Sequence, residues 1–294
     1  MVAGRFAGRL LRRPERHAAD ADYLHYAIES WKVRDPLPRI ADPGLWDVDL
    51  GSHLDPSHAA ELFKRIDRAK ASPYHAPAPA RRPPSTDTAA DARIGRGTTA
   101  FAVADAAGNM IAVTQTLSTW GGAFYVSDGL GFLYNNHLRP GPAPAPGRFL
   151  PLARSTSTTV PTLVFEAPAG DRGGPGTPRL ALGAAGNAWI PASVYEIMLN
   201  VIDTRLPAQN AIEAPRFLVA RDPLDPDRAR VQIEDRIPRG VLQDLAGRGH
   251  RFEKIGRKGE VRYGYAAAVV VDAASREVHG AAEPPRSHAA VAVR

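Results

Sequence analysis

The stretch IGRGTTAFAVADAAGNMIAVTQTL, residues 94–117, decides how the rest of the chain is read. Residues 100–105 and 110–117 carry β-forming side chains, and Ala106-Ala107-Gly108-Asn109 between them has the composition of a turn. Two extended runs about a Gly-containing turn predict a β-hairpin. Upstream, residues 71–96 hold Pro73, Pro77, Pro79, Pro83 and Pro84 among Ser, Thr and Ala. That composition cannot bury a core and reads as a flexible linker. The first strand of the hairpin therefore opens on a threonine pair, Thr98-Thr99, directly after Gly97.

A threonine hydroxyl is a weak nucleophile at neutral pH and needs a base beside it. Cutting the Gly97–Thr98 bond would give Thr98 a free α-amino group, which titrates near pH ~8 and can serve as that base. The Thr98 hydroxyl could make the cut itself by attacking the Gly97 carbonyl, where glycine puts no side chain in the way. On the second strand Thr114 and Thr116 share a face, because strand side chains alternate. Antiparallel pairing brings that strand back toward Thr98. Taken alone, each of these threonines also fits the part of an ordinary strand former, and Thr99 and Thr114 are read that way.

More of the chain can be read through a resemblance. GTTAFAVADAAGNMIAVTQTLSTWGG, followed by GFLYNNH, resembles the start of the small subunit of the γ-glutamyltransferase (γ-glutamyl transpeptidase) family. The likeness rests on Thr98-Thr99, Asp105, Gly108-Asn109, Val113-Thr114-Gln115-Thr116-Leu117, Gly129, Gly131 and Leu133-Tyr134-Asn135-Asn136. Further blocks continue to about Arg286, and a weaker likeness covers residues 20–73. The resemblance implies an N-terminal-nucleophile enzyme made as one chain and self-cleaved before Thr98. It implies an α+β fold, a four-layer αββα sandwich, here incomplete. Residues 1–97 would be a large-subunit tail and linker, and residues 98–294 a small-subunit-like catalytic region.

By position the resemblance also implies roles. Thr116 would assist the nucleophile, and Ser157 and Thr158 would be the paired hydroxyls that bind a substrate carboxylate. Gly186 and Asn187 would be the oxyanion donors, at the place of two adjacent glycines. The implied substrate is a γ-glutamyl compound such as glutathione, or a related acyl amide. Water or an amino acid or peptide would be the acceptor, a missing large-subunit portion the partner, and no cofactor is implied. The chain departs from the family pattern on the substrate side. Leu138-Arg139-Pro140 stands where an acidic residue would hold a substrate ammonium, His137 stands for a Gln, and Ser118 for an Asn. Two readings stay open: an acyltransferase or amidohydrolase, and a catalytically silent module that binds or supports.

Composition argues against several further function classes. The chain has no cysteine, hence no disulfide, zinc–thiolate site or thiol nucleophile. Its net charge of +6 is spread out, and the locally basic stretches at 5–16 and 251–262 hold one aromatic each, Phe6 and Phe252, and no interleaved series. They read as solvated faces and not as a nucleic-acid surface. No run is long and apolar enough to span a bilayer, and the basic N-terminus is too interrupted for a signal-peptide core. No compartment follows from this. The nine histidines show no HExxH or paired spacing, which argues against a metal site. Helices are expected at 22–34 (capped by Asp20 or Asp22), 56–70 (capped by Asp55), 189–203, 207–213 and 238–249. Strands are expected at 162–166, 178–182, 230–234, 266–271 and 278–281. Residues 183–187, GAAGN, read as a Gly-rich turn opening the helix at 189.

Overall fold

In the computed structural model, which describes residues 20–33, 50–74, 97–137, 157–167, 176–222, 225, 228–255, 264–272, 274–284 and 290–291, two aspartates start the early helices. Asp20 accepts the Tyr23 N–H at 3.1 Å and caps α1, Ala21–Lys32. A short α2, Leu50–Leu54, follows. Asp55 then accepts the Ser57 N–H at 2.7 Å and caps α3, Pro56–Lys64. α3 ends six residues before the expected 70. The N–H groups of Arg65 and Ile66 turn back three residues to Leu62 and Phe63, both at 3.1 Å, and tighten the last turn.

The expected hairpin is present: β1, Thr98–Ala104, pairs antiparallel with β2, Met110–Thr116, from Thr98↔Thr116 to Ala104↔Met110. Asp105 locks the turn. Its carboxylate accepts the Asn109 N–H at 2.9 Å and the Asn109 side-chain amide at 2.7 Å, bonds that hold its pKa below the usual range. Gly108 supplies the left-handed residue of that turn, φ +89°.

The remaining elements are β3, Thr162–Glu166, β4, Thr177–Ala185, α4, Trp189–Ile202, α5, Ala208–Glu213, β5, Phe217–Arg221, β6, Ala229–Glu234, α6, Arg239–Gly247, β7, Phe252–Ile255, β8, Tyr265–Val271, and β9, Val278–Ala282. Two differences from the sequence reading stand out. β4 runs through Gly183-Ala184-Ala185, so the turn before α4 is confined to Gly186-Asn187-Ala188. β5 and β7 were not expected, because FLVAR and FEKI are too short to show a period.

Strands β3-β4-β8-β9 form one antiparallel sheet. Its two faces divide by residue parity. Leu180, Leu182 and Ala184 of β4, with Ala266 and Ala268 of β8, share a core with Ile190, Val194 and Ile197 of α4 and Ile212 of α5. The other parity, including Gly183, faces the hairpin. A side chain at Gly183 would begin 2.9 Å from the Val113 carbonyl and 3.2 Å from the Ala100 methyl. The β1-β2 hairpin is thus a second sheet laid on the first, and the order is helices, sheet, sheet. The outer face of the hairpin carries Phe101, Val103 and Ile111 at 45, 50 and 55% exposure, with no fourth layer over it among the described residues. The fold is α+β, with three of the four expected layers.

A second core lies on the far side of α4. The sheet β5-β6-β7, whose β6 and β7 are parallel, buries Phe217, Val219, Val231 and Ile233 against Tyr23, Leu24 and Ile28 of α1 and Leu242 and Leu245 of α6. α1 is buried nearly all round, and not on one stripe as its spacing suggested. Two stretches far apart in sequence, 214–217 and 280–284, meet at Arg216. Its buried guanidinium donates to the carbonyls of Ile212 and Gly264 and to the Glu283 carboxylate, which lies at 2.5 Å. A buried cation left without its carboxylate is costly, so Glu283→Ala should lower the unfolding free energy by about 3–5 kcal/mol. Denaturant titration reads this as a lower midpoint at unchanged slope, and a loss under about 1 kcal/mol would show that the pair is not holding the two blocks together.

Candidate active site

The register of the hairpin places Thr98 directly opposite Thr116. Both lie on the inner face, with Ala100 and Thr114, which is the face packed on β4. Their hydroxyl oxygens are 2.8 Å apart and half-buried. Thr99 points the other way and is exposed. Thr114 Oγ1 is buried against Gly183, with no hydrogen-bond partner among the described residues.

The loop after β2 fixes this pair. Ser118 has φ +74°, unusual for a residue with a side chain. Its N–H donates to Thr116 Oγ1 at 2.9 Å, and the Leu117 N–H donates to the Gly97 carbonyl at 2.8 Å. Gly97 has no room for a side chain, since a Cβ would fall 2.6 Å from the Thr119 carbonyl oxygen. Asn136 clamps the loop: its N–H donates to the Leu117 carbonyl at 3.1 Å, its amide donates to Thr119 Oγ1 at 2.6 Å, and its oxygen accepts the Thr119 N–H at 3.2 Å. Sequence reasoning used Asn136 only as part of a block. The signal for its role was there, in an Asn whose side chain can satisfy both polar groups of a loop threonine.

The other sequence-picked residues are less convergent. Gly186 and Asn187 end β4, φ +128° and +53°. Asn tolerates the left-handed conformation better than other residues with side chains, so replacing a glycine there keeps the turn. The turn is exposed at Asn187 and Ala188, and the Trp189 and Ile190 N–H groups fold back to the Gly186 and Asn187 carbonyls at 3.0 and 3.2 Å, starting α4. Ser157 and Thr158 are exposed ahead of β3. The hydroxyl pair there is Ser157 with Thr159, 2.7 Å apart, and among the described residues no hydrogen bond joins Ser157 or Thr158 to Thr98. His137 is half-buried and its N–H donates to Asn135 Oδ1 at 2.9 Å. Leu138-Arg139-Pro140 lies outside the described residues.

Among the described residues one set of donors is close enough to share a metal ion: His25, Glu29 and His250, far from the hairpin in sequence and within 4.8 Å of one another. Lys32 Nζ already sits 2.7 Å from Glu29 Oε1, so this carboxylate is neutralised. A divalent ion added there would bury an uncompensated charge, and the set does not fit one.

The gamma-glutamyltranspeptidase family model matches residues 9–293. The Acylase ACY 1 proenzyme of Pseudomonas sp. (strain SE83) is 30% identical over 235 residues, covering 78% of this chain and 37% of that protein. The glutathione hydrolase-like YwrD proenzyme of Bacillus subtilis (strain 168) is 26% identical over 287 residues, covering 92% of this chain and 47% of that protein. The structure of a cephalosporin acylase from Bacillus halodurans shares the fold, with TM-score 0.70 at 21% identity over 96% of this chain and 47% of that one. The chain thus spans less than half the length of these relatives. Because the family match runs across the hairpin and every element packed on it, the chain belongs to the gamma-glutamyltranspeptidase family.

Proposed function

We propose that Thr98 is the nucleophile of an amidohydrolase or acyltransferase, released by self-cleavage of the Gly97–Thr98 bond. The observation that carries this is the paired hydroxyls of Thr98 and Thr116, 2.8 Å apart, beside a Gly97 carbonyl held by the Leu117 N–H at 2.8 Å. In self-cleavage Thr98 Oγ1 adds to the Gly97 carbonyl carbon, and its proton is transferred to the Thr98 nitrogen that will leave. Negative charge then collects on the Gly97 oxygen, where the Leu117 N–H is already aimed. Expulsion of the Thr98 nitrogen leaves an ester on Oγ1. Water hydrolyses it, freeing the Gly97 carboxylate and the Thr98 amine.

In turnover that amine takes the proton of Oγ1 as the oxygen attacks a substrate carbonyl, then hands it to the leaving amine. Thr116 orients the hydroxyl, and the Ser118 N–H keeps Thr116 in place. The N–H groups of Gly186 and Asn187, at a turn into a helix N-terminus, would hold the substrate oxyanion. Ser118, His137, Ser157 and Thr158 are the proposed substrate contacts. The substrate class is a γ-glutamyl compound or another acyl amide, with water or an amine as acceptor, and the names of the relatives span both acylase and glutathione hydrolase. The uncovered outer face of the hairpin fits a large-subunit-like polypeptide as partner. A second reading, a silent binding module, is favoured by the departures from the family pattern at Ser118 and His137.

Intact mass of stored, purified protein separates the two. The enzyme reading expects two pieces divided between Gly97 and Thr98, a single uncut mass for Thr98→Ala, and cutting slowed about 10- to 100-fold in Thr116→Val. An uncut wild type supports the silent module. In the cut protein, hydrolysis of acyl amides should rise with pH through about 8, because the Thr98 amine accepts a proton only when it is unprotonated. A rate flat from about pH 6 to 9 would remove the amine from the mechanism.

A further inference from the structure

The cluster at His25, Glu29, Lys32 and His250 plays no part in the acyl chemistry, yet its side chains are almost fully enclosed. Its hydrogen bonds fix its protons. His25 Nε2 lies 2.7 Å from the Asp67 carbonyl, which can only accept, so Nε2 carries a hydrogen. Neutral His25 then offers a bare Nδ1 to His250 Nε2 at 2.9 Å, and His250 must donate there. His250 Nδ1 is left bare and buried, with no partner among the described residues. The nearby carboxylate gives no help. Glu29 Oε1 is bound by Lys32 at 2.7 Å and is 3.9 Å from His250 Nε2, and Glu29 Oε2 accepts the Ser72 N–H at 3.0 Å.

The cluster also straddles the cleavage point. His25, Glu29, Lys32, Asp67 and Ser72 precede Gly97, whereas His250 follows it. Residues 248–250 grip the earlier part at three more places. The Ala71 N–H donates to the Arg248 carbonyl at 2.7 Å, the Arg248 guanidinium pairs with Asp22 at 2.6 Å, and it reaches the Arg68 carbonyl at 3.4 Å. Asp244, at 2.8 Å, is the other carboxylate on Arg248.

We infer that the His25–His250 imidazole pair is an acid-sensitive clasp that helps fasten residues 20–33 and 50–74 to the segment around residue 250, and that mild acid weakens it. The charged groups facing the pair are Lys32 and Glu29 from α1 and Arg248 from its own segment, with Asp22 and Asp244 already engaged by Arg248. A proton added to the pair therefore joins two cations against one carboxylate that is already spoken for. Burial foremost, then Lys32, His25 and Arg248, push the His250 pKa down to about 3. A base with a depressed pKa in the closed form takes up its proton mainly in the open form. The clasp is thus fully closed above the ordinary histidine pKa of about 6.5 and loses strength as pH falls below it, about tenfold per pH unit. If Gly97–Thr98 is cut, as proposed above, the same change weakens the hold on the first piece, which the apolar core around α1 still retains.

Hydrogen exchange of the α1 amides in the full chain, corrected for intrinsic rates, tests the clasp whether or not the chain is cut. The opening constant should rise roughly 30-fold between pH 8 and pH 5. His250→Gln keeps a donor toward His25 without titrating, and should flatten that dependence. The wild-type His250 imidazole signal should not titrate while α1 stays protected, a readout that stands if the variant does not fold. A wild-type change below about threefold, an undiminished slope in His250→Gln, or a His250 imidazole titrating near pH ~6.5 with α1 protected would each overturn the inference. An uncut wild type would refute self-cleavage and leave the clasp standing.

Discussion

The close approach of two sheets at one glycine organises this protein. Gly183 lies against the backbone of Val113 and the methyl of Ala100, in a space where a single extra carbon would collide. The contact works because β4 and β8 present alanine, valine and glycine toward the hairpin while keeping leucine and alanine for α4 and α5. It holds β1 and β2 flat on the sheet beneath. The start of β1, and so the Thr98 hydroxyl, is positioned by packing two residues away at Ala100, which is 5% exposed.

Around that anchor the backbone makes most of the polar contacts that hold the Thr98–Thr116 pair. Gly97, Leu117 and Ser118 contribute a carbonyl and two N–H groups, not side chains, and Asn136 holds the loop that presents them. Ser118 sits in a left-handed conformation that costs energy for a residue with a Cβ, and hydrogen bonds on both sides of it maintain that strain.

The molecule also has an unfinished side and a finished one. Outside the hairpin, large apolar residues face solvent. On the opposite side, α1 is fastened by a core of Tyr, Leu and Ile and by an enclosed set of imidazoles and charges. The two halves of the chain are thus joined firmly across α1 and left open across the hairpin.

Much of the hairpin site was legible in the residues themselves. Alternation, the Asp105 to Asn109 turn and the threonine pair after Gly97 are local features, and the Thr98↔Thr116 register follows once the turn is placed. The helix caps at Asp20 and Asp55 were legible for the same reason, since a cap acts over three residues. What the tertiary structure alone decided are the long-range matters. β7 is a strand because β6 lies beside it, Gly183 belongs to a strand because a second sheet covers it, and Asn187 keeps a glycine's conformation within its turn. His25 and His250 stand 225 residues apart and meet only after folding, so no spacing rule could pair them. Local hydrogen bonding and periodicity leave their trace in neighbouring residues, whereas burial and electrostatic contact depend on which distant segments the fold brings together.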